Sequence, residues 1–379
     1  MKKLFFGTSL LLVLLCCSKK DVGLNLENAD SNVESITLSN GLVFIKDGDF
    51  YRMDDMLYAP SMDTKGVFMR NGVNGVTYWP NGEVYYEFDE NASQELISNA
   101  VSAMEELSTT TGVHFTAATS NTPNRIHFQC ESVNNSYVGM RGGVQPINIY
   151  NDTYKYIIMH EILHALGVFH EQSRSDRDDY ITVNWDNIKT RARPNFYKKN
   201  DSEVYNIGSF NFESIMLYPS IIYDPDFVYD YSLPAMTKLD GSCFVANRSY
   251  LSYGDIRTVK AIYGHPYIKM EENIEIIQDF VNGPEEIYEA NHEWRVSFYE
   301  DADYSIPTIS VVPRHMVLRK EARSLGNHGE IVTTVTQENA TIPAGVTSYV
   351  VREARNREFF FCSDPYLIEY EFYRVISTD

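Results

Sequence analysis

Residues 160–170 read His-Glu-Ile-Leu-His-Ala-Leu-Gly-Val-Phe-His. On a helix, positions four apart lie on one face about a turn from each other, so His160 and His164 can offer their imidazoles to a single ion while Glu161 projects beside them. Gly167 tolerates the backbone geometry that stops a helix sharply, and the reversing chain can bring His170 round as a third nitrogen ligand. Three neutral imidazoles favour one divalent ion of the zinc type. Three protein ligands leave a position open for water, which marks a catalytic rather than a structural site. Zinc lowers the pKa of its water toward neutrality, and Glu161 can take the proton and hand it to a leaving amine, so the pattern predicts hydrolysis. Two histidines around a glutamate are a modest signal alone; requiring Gly167 and His170 at fixed offsets makes chance assembly about a thousandfold rarer. A core helix with incidental histidines would bury these polar groups at a cost with nothing to bind.

These side chains need a helix to carry them, and the sequence predicts one over about 152–166. Upstream, Trp79-Pro80-Asn81-Gly82 reads as a turn, and Val84, Tyr86 and Phe88 then alternate with Glu83, Tyr85 and Glu87 as in a half-buried strand. Asn91 can cap a helix whose apolar residues Ile97, Ala100, Val101, Met104 and Leu107 fall at helical spacing, and Gly112 ends it. Strands are expected at 113–117, 125–129 and 146–150. Beyond Gly264-His265-Pro266 the pattern becomes short runs of Val, Ile, Tyr and Phe at 294–299, 331–335, 349–352, 359–361 and 367–373, separated by turn signals. The expected fold class is α+β for the first part, followed by an all-β domain of sandwich type.

The whole chain has 379 residues, with 32 Lys plus Arg against 52 Asp plus Glu, a net charge of −20. A hydrophobic content of 44 % excludes a disordered chain. The negative charge argues against nucleic acid and anionic membrane surfaces as partners. Met1-Lys2-Lys3 precedes an apolar run over 4–15 that is too short to span a bilayer and reads as an export signal. It ends at Leu14-Leu15-Cys16-Cys17-Ser18, which resembles a bacterial lipobox with Cys17 as the acylated residue, so the membrane is a partner only through an N-terminal lipid. The expected location is exported, either secreted or as an outer-membrane lipoprotein. The expected organisation is a signal at 1–17, a polar pro-segment at 18–70, a catalytic domain at 71–265 and a β-rich accessory domain at 266–379.

The stretch from His160 through Glu171, Gln172, Ser173, Arg174, Ser175, Asp176, Arg177 and Asp178 resembles the signature of the astacin family of metzincin metalloendopeptidases. The resemblance extends to Asn187-Ile188, Asn195-Phe196, Ser214-Ile215-Met216-Leu217-Tyr218, Leu251-Ser252 with Asp255-Ile256, and upstream to Trp79-Pro80-Asn81-Gly82 and Ser136-Tyr137-Val138-Gly139 with Gly142, Gly143 and Gln145. It implies a two-lobed zincin-like domain in which a twisted sheet backs the active-site helix. It also implies roles that spacing could not give. Met216 is the floor beneath the metal. Tyr218 is a further zinc ligand that swings to stabilise the oxyanion, and Glu171 holds the new N-terminus of the processed enzyme. Gly139, Gly142, Gly143 and Gln145 mark an edge strand that pairs with an extended protein or peptide substrate.

The family's zymogens block zinc with an aspartate in a Phe-x-Gly-Asp motif. Lys46-Asp47-Gly48-Asp49 makes Asp49 the expected inhibitory ligand, with Asp47 and Asp54 close by. An activating protease would cut between Arg70 and Asn71. The family's two disulfides are not both possible here: Asp152 stands where one cysteine is expected, and Cys130, Cys243 and Cys362 allow at most one pair, Cys130 with Cys243. A competing reading makes the chain a surface lipoprotein whose β module binds a glycan or a host protein, the protease being secondary. The intact set of three histidines, Glu161 and Tyr218 favours the enzyme.

Overall fold

The computed structural model describes residues 35–37, 43–47, 50–53, 55–58 and 76–378, the last span apart from 151, 153, 201–203, 283–284, 326–330 and 362–363. The signal with Cys17, Asp49, the Arg70-Asn71 junction and Cys362 lie outside the described residues.

A helix-backed sheet forms the first half. Its strands are β1 (Ser35–Thr37), β2 (Val43–Asp47), β3 (Phe50–Met53), β4 (Met56–Tyr58), β5 (Glu83–Phe88), β6 (His114–Ala117), β7 (Arg125–Cys130), β8 (Asn135–Tyr137) and β9 (Val144–Ile149). They lie in the order β1-β2-β3-β4-β8-β9-β7-β5-β6. The central strands run parallel, β8 runs antiparallel to β9, and β4 joins β8 in parallel with Met56 opposite Ser136 and Leu57 opposite Tyr137. Helix α1 (Gln94–Thr111) starts at Ser93, whose hydroxyl accepts from the Leu96 N–H, two residues past the expected Asn91 cap. Asn91 is instead held in the preceding turn by its N–H to Asp89. Gly112 closes the helix at φ 82°, as expected. The core between sheet and helices is built from Val84, Ile126, Phe128 and Ile147 with Leu96, Met104 and Leu107 of α1.

Helix α2 (Lys155–Ala165) carries the first two histidines and is buried almost throughout. Its C-terminal turn is fixed from outside: the Trp79 indole N–H donates to Ala165 O at 2.9 Å, and the Tyr263 hydroxyl donates to Leu166 O at 2.8 Å. Tyr263 ends α3 (Tyr253–Tyr263), whose N-terminus is a capping box between Ser252 and Asp255. A second core, around Ile188, Phe196, Leu217 and Met236, holds the stretch after His170, which contains the two-stranded pair β10 (Ile181–Val183) and β11 (Met236–Lys238).

Six long strands follow: β12 (Tyr267–Asn282), β13 (Glu285–Tyr299), β14 (Arg314–Leu325), β15 (Ile331–Ile342), β16 (Ser348–Phe361) and β17 (Asp364–Thr378). Hydrogen bonds join them into one antiparallel sheet in the order β12-β13-β16-β17-β14-β15. Trp294, Val296, Phe298, Leu318 and Ile342 form its core. No helix among the described residues is long and apolar enough to cross a membrane.

The β module is packed into the helix-backed first half. Val311, in the turn before β14, is 3 % exposed and belongs to the same apolar cluster as Val259 and Ile262 of α3. Arg314 donates to Gly264 O at 2.7 Å, and Arg257 of α3 pairs with Glu300. Gly345 has φ +81°, and a Cβ there would stand 2.8 Å from the Tyr205 ring of the first half. A charge at Val311 would therefore disturb the apolar core that α2 and α3 share. Val311→Asp is expected to destabilise the first half by roughly 3 kcal/mol. Thermal unfolding followed by the helical circular dichroism, which comes from α1, α2 and α3 of the first half, checks this; an unchanged midpoint would mean that the two cores are independent.

Candidate metal centre

Helix α2 presents His160 and His164 from successive turns, as their spacing requires, with ring centroids 4.7 Å apart. Gly167 then turns the chain at φ +98°, where a Cβ would stand 2.8 Å from the Tyr78 ring, so both backbone and space call for glycine. His170 returns with its ring 4.8 Å from His164 and its Nε2 3.2 Å from His160 Nε2. Backbone carbonyls set the tautomers of two rings: His160 Nδ1 lies 2.8 Å from Ile215 O and His164 Nδ1 lies 2.8 Å from Val168 O. A carbonyl only accepts, so each Nδ1 carries the proton and each Nε2 offers a lone pair to the centre. Burial pushes the His160 pKa down to about 3 and lowers that of His170, which keeps both imidazoles neutral.

A fourth group enters from another part of the chain. Asp55 carboxylate oxygens lie 3.3 Å from His160 Nε2, 3.5 Å from His164 Nε2 and 3.2 Å from His170 Nε2. The main chain fixes its place: the Ser136 N–H donates to Asp55 O at 2.9 Å, and the buried Met56 and Leu57 follow along β8. One potential ligand atom from each of Asp55, His160, His164 and His170 lies within 4.8 Å of the others. His164 Nε2 and Asp55 Oδ1 are buried without a hydrogen bond. Lone pairs and a carboxylate converging on one point call for a cation, and this donor set fits a single zinc ion.

Glu161 is 1 % exposed, next to His160 on α2. Tyr218 packs its ring on His170 at 4.7 Å, and its hydroxyl is buried without a hydrogen bond. Met216 is 1 % exposed in the apolar cluster that includes Ile162 and Leu163, and its carbonyl accepts from the Glu171 N–H at 3.1 Å. The turn around Met216 is tied to α3 through Asp255, which accepts from the Ser214 hydroxyl at 2.6 Å and from the Ile215 N–H at 3.1 Å. Glu171 lines a small cavity with Tyr78, Arg174, Tyr205 and Asn206; burial pushes its pKa up to about 7, against Arg174 and an N–H from Asn211 at 2.7 Å.

Two expectations need correction. Gly139, Gly142 and Gly143 do not form an edge strand. All three have positive φ and make a turn, in which the Gly139 N–H donates to His164 O at 2.8 Å, and a Cβ at Gly139 would strike Thr77 O at 2.6 Å. Gln145 lies inside the sheet on β9 and braces that turn, its Nε2 donating to Gly139 O at 3.1 Å and its Oε1 accepting from the Arg141 N–H at 2.8 Å. The strand beside the histidines is β8, and β4 pairs with it. Nor do Cys130 and Cys243 pair; both are free and exposed. Asp152, in place of a cysteine, meets the Ser93 hydroxyl, and its carbonyl accepts from Asn99 at 2.7 Å, so polar contacts link this segment to α1. Asp55 escapes the sequence reading because the Phe-x-Gly-Asp pattern leads to Gly48 and its neighbour Asp49. The usable signal was an acid directly before the apolar Met56-Leu57-Tyr58.

The chain is similar in sequence to known proteins. Flavastacin of Elizabethkingia meningoseptica is 39 % identical over 193 residues, covering 49 % of this chain and 42 % of that protein. Astacin-like metalloprotease toxin 5 of Loxosceles gaucho is 34 % identical over 170 residues, covering 40 % of this chain and 85 % of the toxin. Among solved structures, high choriolytic enzyme 1, a hatching enzyme zinc-protease from Oryzias latipes, matches with a TM-score of 0.42 and 27 % identity over 52 % of this chain and 95 % of that one. The chain thus spans less than half the length of flavastacin. The model of the astacin peptidase family matches residues 72–264, which is half of the chain. The chain belongs to the astacin family.

Proposed function

We propose that this chain is a zinc-dependent endopeptidase, exported as a latent precursor, that hydrolyses peptide bonds in proteins. The observation that carries the reading is the convergence of His160, His164 and His170 on one point, with Glu161 on the same helix and Tyr218 against His170. Zinc, when bound there, supplies a Lewis acid that polarises the scissile carbonyl and acidifies water. His160 and His164 are held by their Nδ1 protons so that Nε2 faces the ion. Glu161 takes a proton from the attacking water and delivers it to the leaving amine nitrogen. The Tyr218 hydroxyl donates a hydrogen bond to the oxygen that becomes negative as the carbonyl carbon turns tetrahedral.

Latency in this reading comes from Asp55, which fills the centre while β4 occupies the edge of β8. Cleavage near Arg70-Asn71 would free both, together with any lipid on Cys17. The Glu171 carboxyl suits the ammonium of the new N-terminus, because a buried acid held up to about 7 ionises readily when a cation arrives.

The test is cleavage of a denatured protein by the chain after processing at Arg70. A chelator is expected to reduce the rate to background, and added zinc to restore it. Cleavage that continues at full rate in protein stripped of metal would sink the reading.

A further inference from the structure

The three carbonyls of residues 215–217 all accept hydrogen bonds. Ile215 O accepts from His160 Nδ1, and Met216 O accepts from the Glu171 N–H. Arg248, on the loop before α3, reaches back with Nη1 2.9 Å from Ile215 O and 3.3 Å from Leu217 O, while also lying 2.6 Å from its neighbour Asn247 O. The peptide between Leu217 and Tyr218 is gripped at both ends, because the Tyr218 N–H donates to Gln172 Oε1 at 3.3 Å. One guanidinium nitrogen thus touches the carbonyl that orients His160 and the carbonyl of the residue that delivers Tyr218.

We propose that Arg248 is a positioning residue for the metal centre, clamping the turn around Met216 so that His160 and Tyr218 keep their places. The inference rests on the reading of the three histidines as a zinc site. A charged, planar donor suits the task, since it can bridge two carbonyls on either side of Met216 without itself entering the centre. A single hydrogen bond from a neutral side chain would leave one of them loose. The Ile215 carbonyl fixes the His160 ring only as firmly as the turn that carries it is fixed. Asp255 holds the N-terminal side of that turn through Ser214 Oγ and Ile215 N–H, and Arg248 holds the side that leads to Tyr218.

The measurement is zinc affinity of the full chain by competition with a chelator, paired with the visible spectrum of the cobalt-substituted protein. Arg248→Ala is expected to bind zinc about 10-fold more weakly, with a shifted cobalt spectrum, and Arg248→Lys to fall between it and the wild type. Asn247→Ala serves as the loop control. It removes side-chain bonds to Glu213 O and Tyr250 O but leaves the clamp, and is expected to match the wild type. If Arg248→Ala fails to fold, Arg248→Lys and Arg248→Gln carry the test. A folded variant without the guanidinium that keeps wild-type affinity and spectrum overturns the proposal. So does an Asn247→Ala variant that loses as much as Arg248→Ala, because loop order would then be the cause. A wild-type chain that binds no zinc would instead overturn the metal-site reading itself.

Discussion

Glu161→Gln in the processed chain is expected to lower kcat by about a factor of 1,000 and to leave KM and zinc content unchanged. Glutamine has the shape of glutamate, so the packing of a side chain that is 1 % exposed on α2 is preserved. What is lost is the ability to accept a proton, and positioned general bases contribute about 10²- to 10⁴-fold. The metal ligands should not respond, because the Nδ1 protons of His160 and His164 are fixed by the carbonyls of Ile215 and Val168 rather than by Glu161. Steady-state kinetics on a peptide, with zinc measured in the same samples, separates the two effects. A variant within about fivefold of the wild type would remove Glu161 from the chemistry, whereas lost zinc would make it a structural residue.

Local geometry explains which parts of the site could be read from the sequence. His160, Glu161 and His164 follow from helical periodicity alone, and Gly167 signals the reversal that brings His170 back, because its φ of +98° suits glycine. Contacts between distant segments leave no such local mark. Asp55 is delivered by strand pairing between β4 and β8, and Arg248 by a loop that folds back onto the turn around Met216. The glycines at 139, 142 and 143 were visible as a cluster, yet they serve positive φ in a turn rather than an open strand. In the β module the expected strands were too short because charged residues interrupt the apolar pattern. Across the sheet such charges meet partners on the paired strand, as Lys320 of β14 does with Glu371 of β17 at 2.5 Å, so the strands continue through them.

The β module was separable in composition but is not separate in packing. Val311 completes the core that contains Ile162 and Leu163 of the histidine helix, and Tyr205, which faces Gly345, also lines the cavity beside Glu171. A contact made by the module therefore reaches the wall of the pocket that activation is proposed to fill. The geometry of that pocket depends on both halves of the chain.

Replacing Asp55 with alanine in the unprocessed chain separates two ways in which the leading segment could block the site. The carboxylate lies 3.2 to 3.5 Å from the Nε2 atoms of His160, His164 and His170, where it would occupy the position needed by water and substrate oxygen. Met56 and Leu57 are buried along β8 and would still obstruct a substrate strand after the substitution. Asp55→Ala is therefore expected to give the uncut, zinc-loaded chain a partial activity toward short peptides, about 10-fold or more above the uncut wild type. Protein substrates, which need the length of the edge, should remain poor until the segment is removed. Zinc affinity should fall at the same time, because one of four donors is gone. The assay is peptide hydrolysis before and after cutting near Arg70, with electrophoresis to show that the uncut sample stays uncut. If uncut Asp55→Ala is as silent as the wild type while the cut chain is active, the paired strand rather than the carboxylate enforces latency. The aspartate would then be a consequence of the pairing and not the lock.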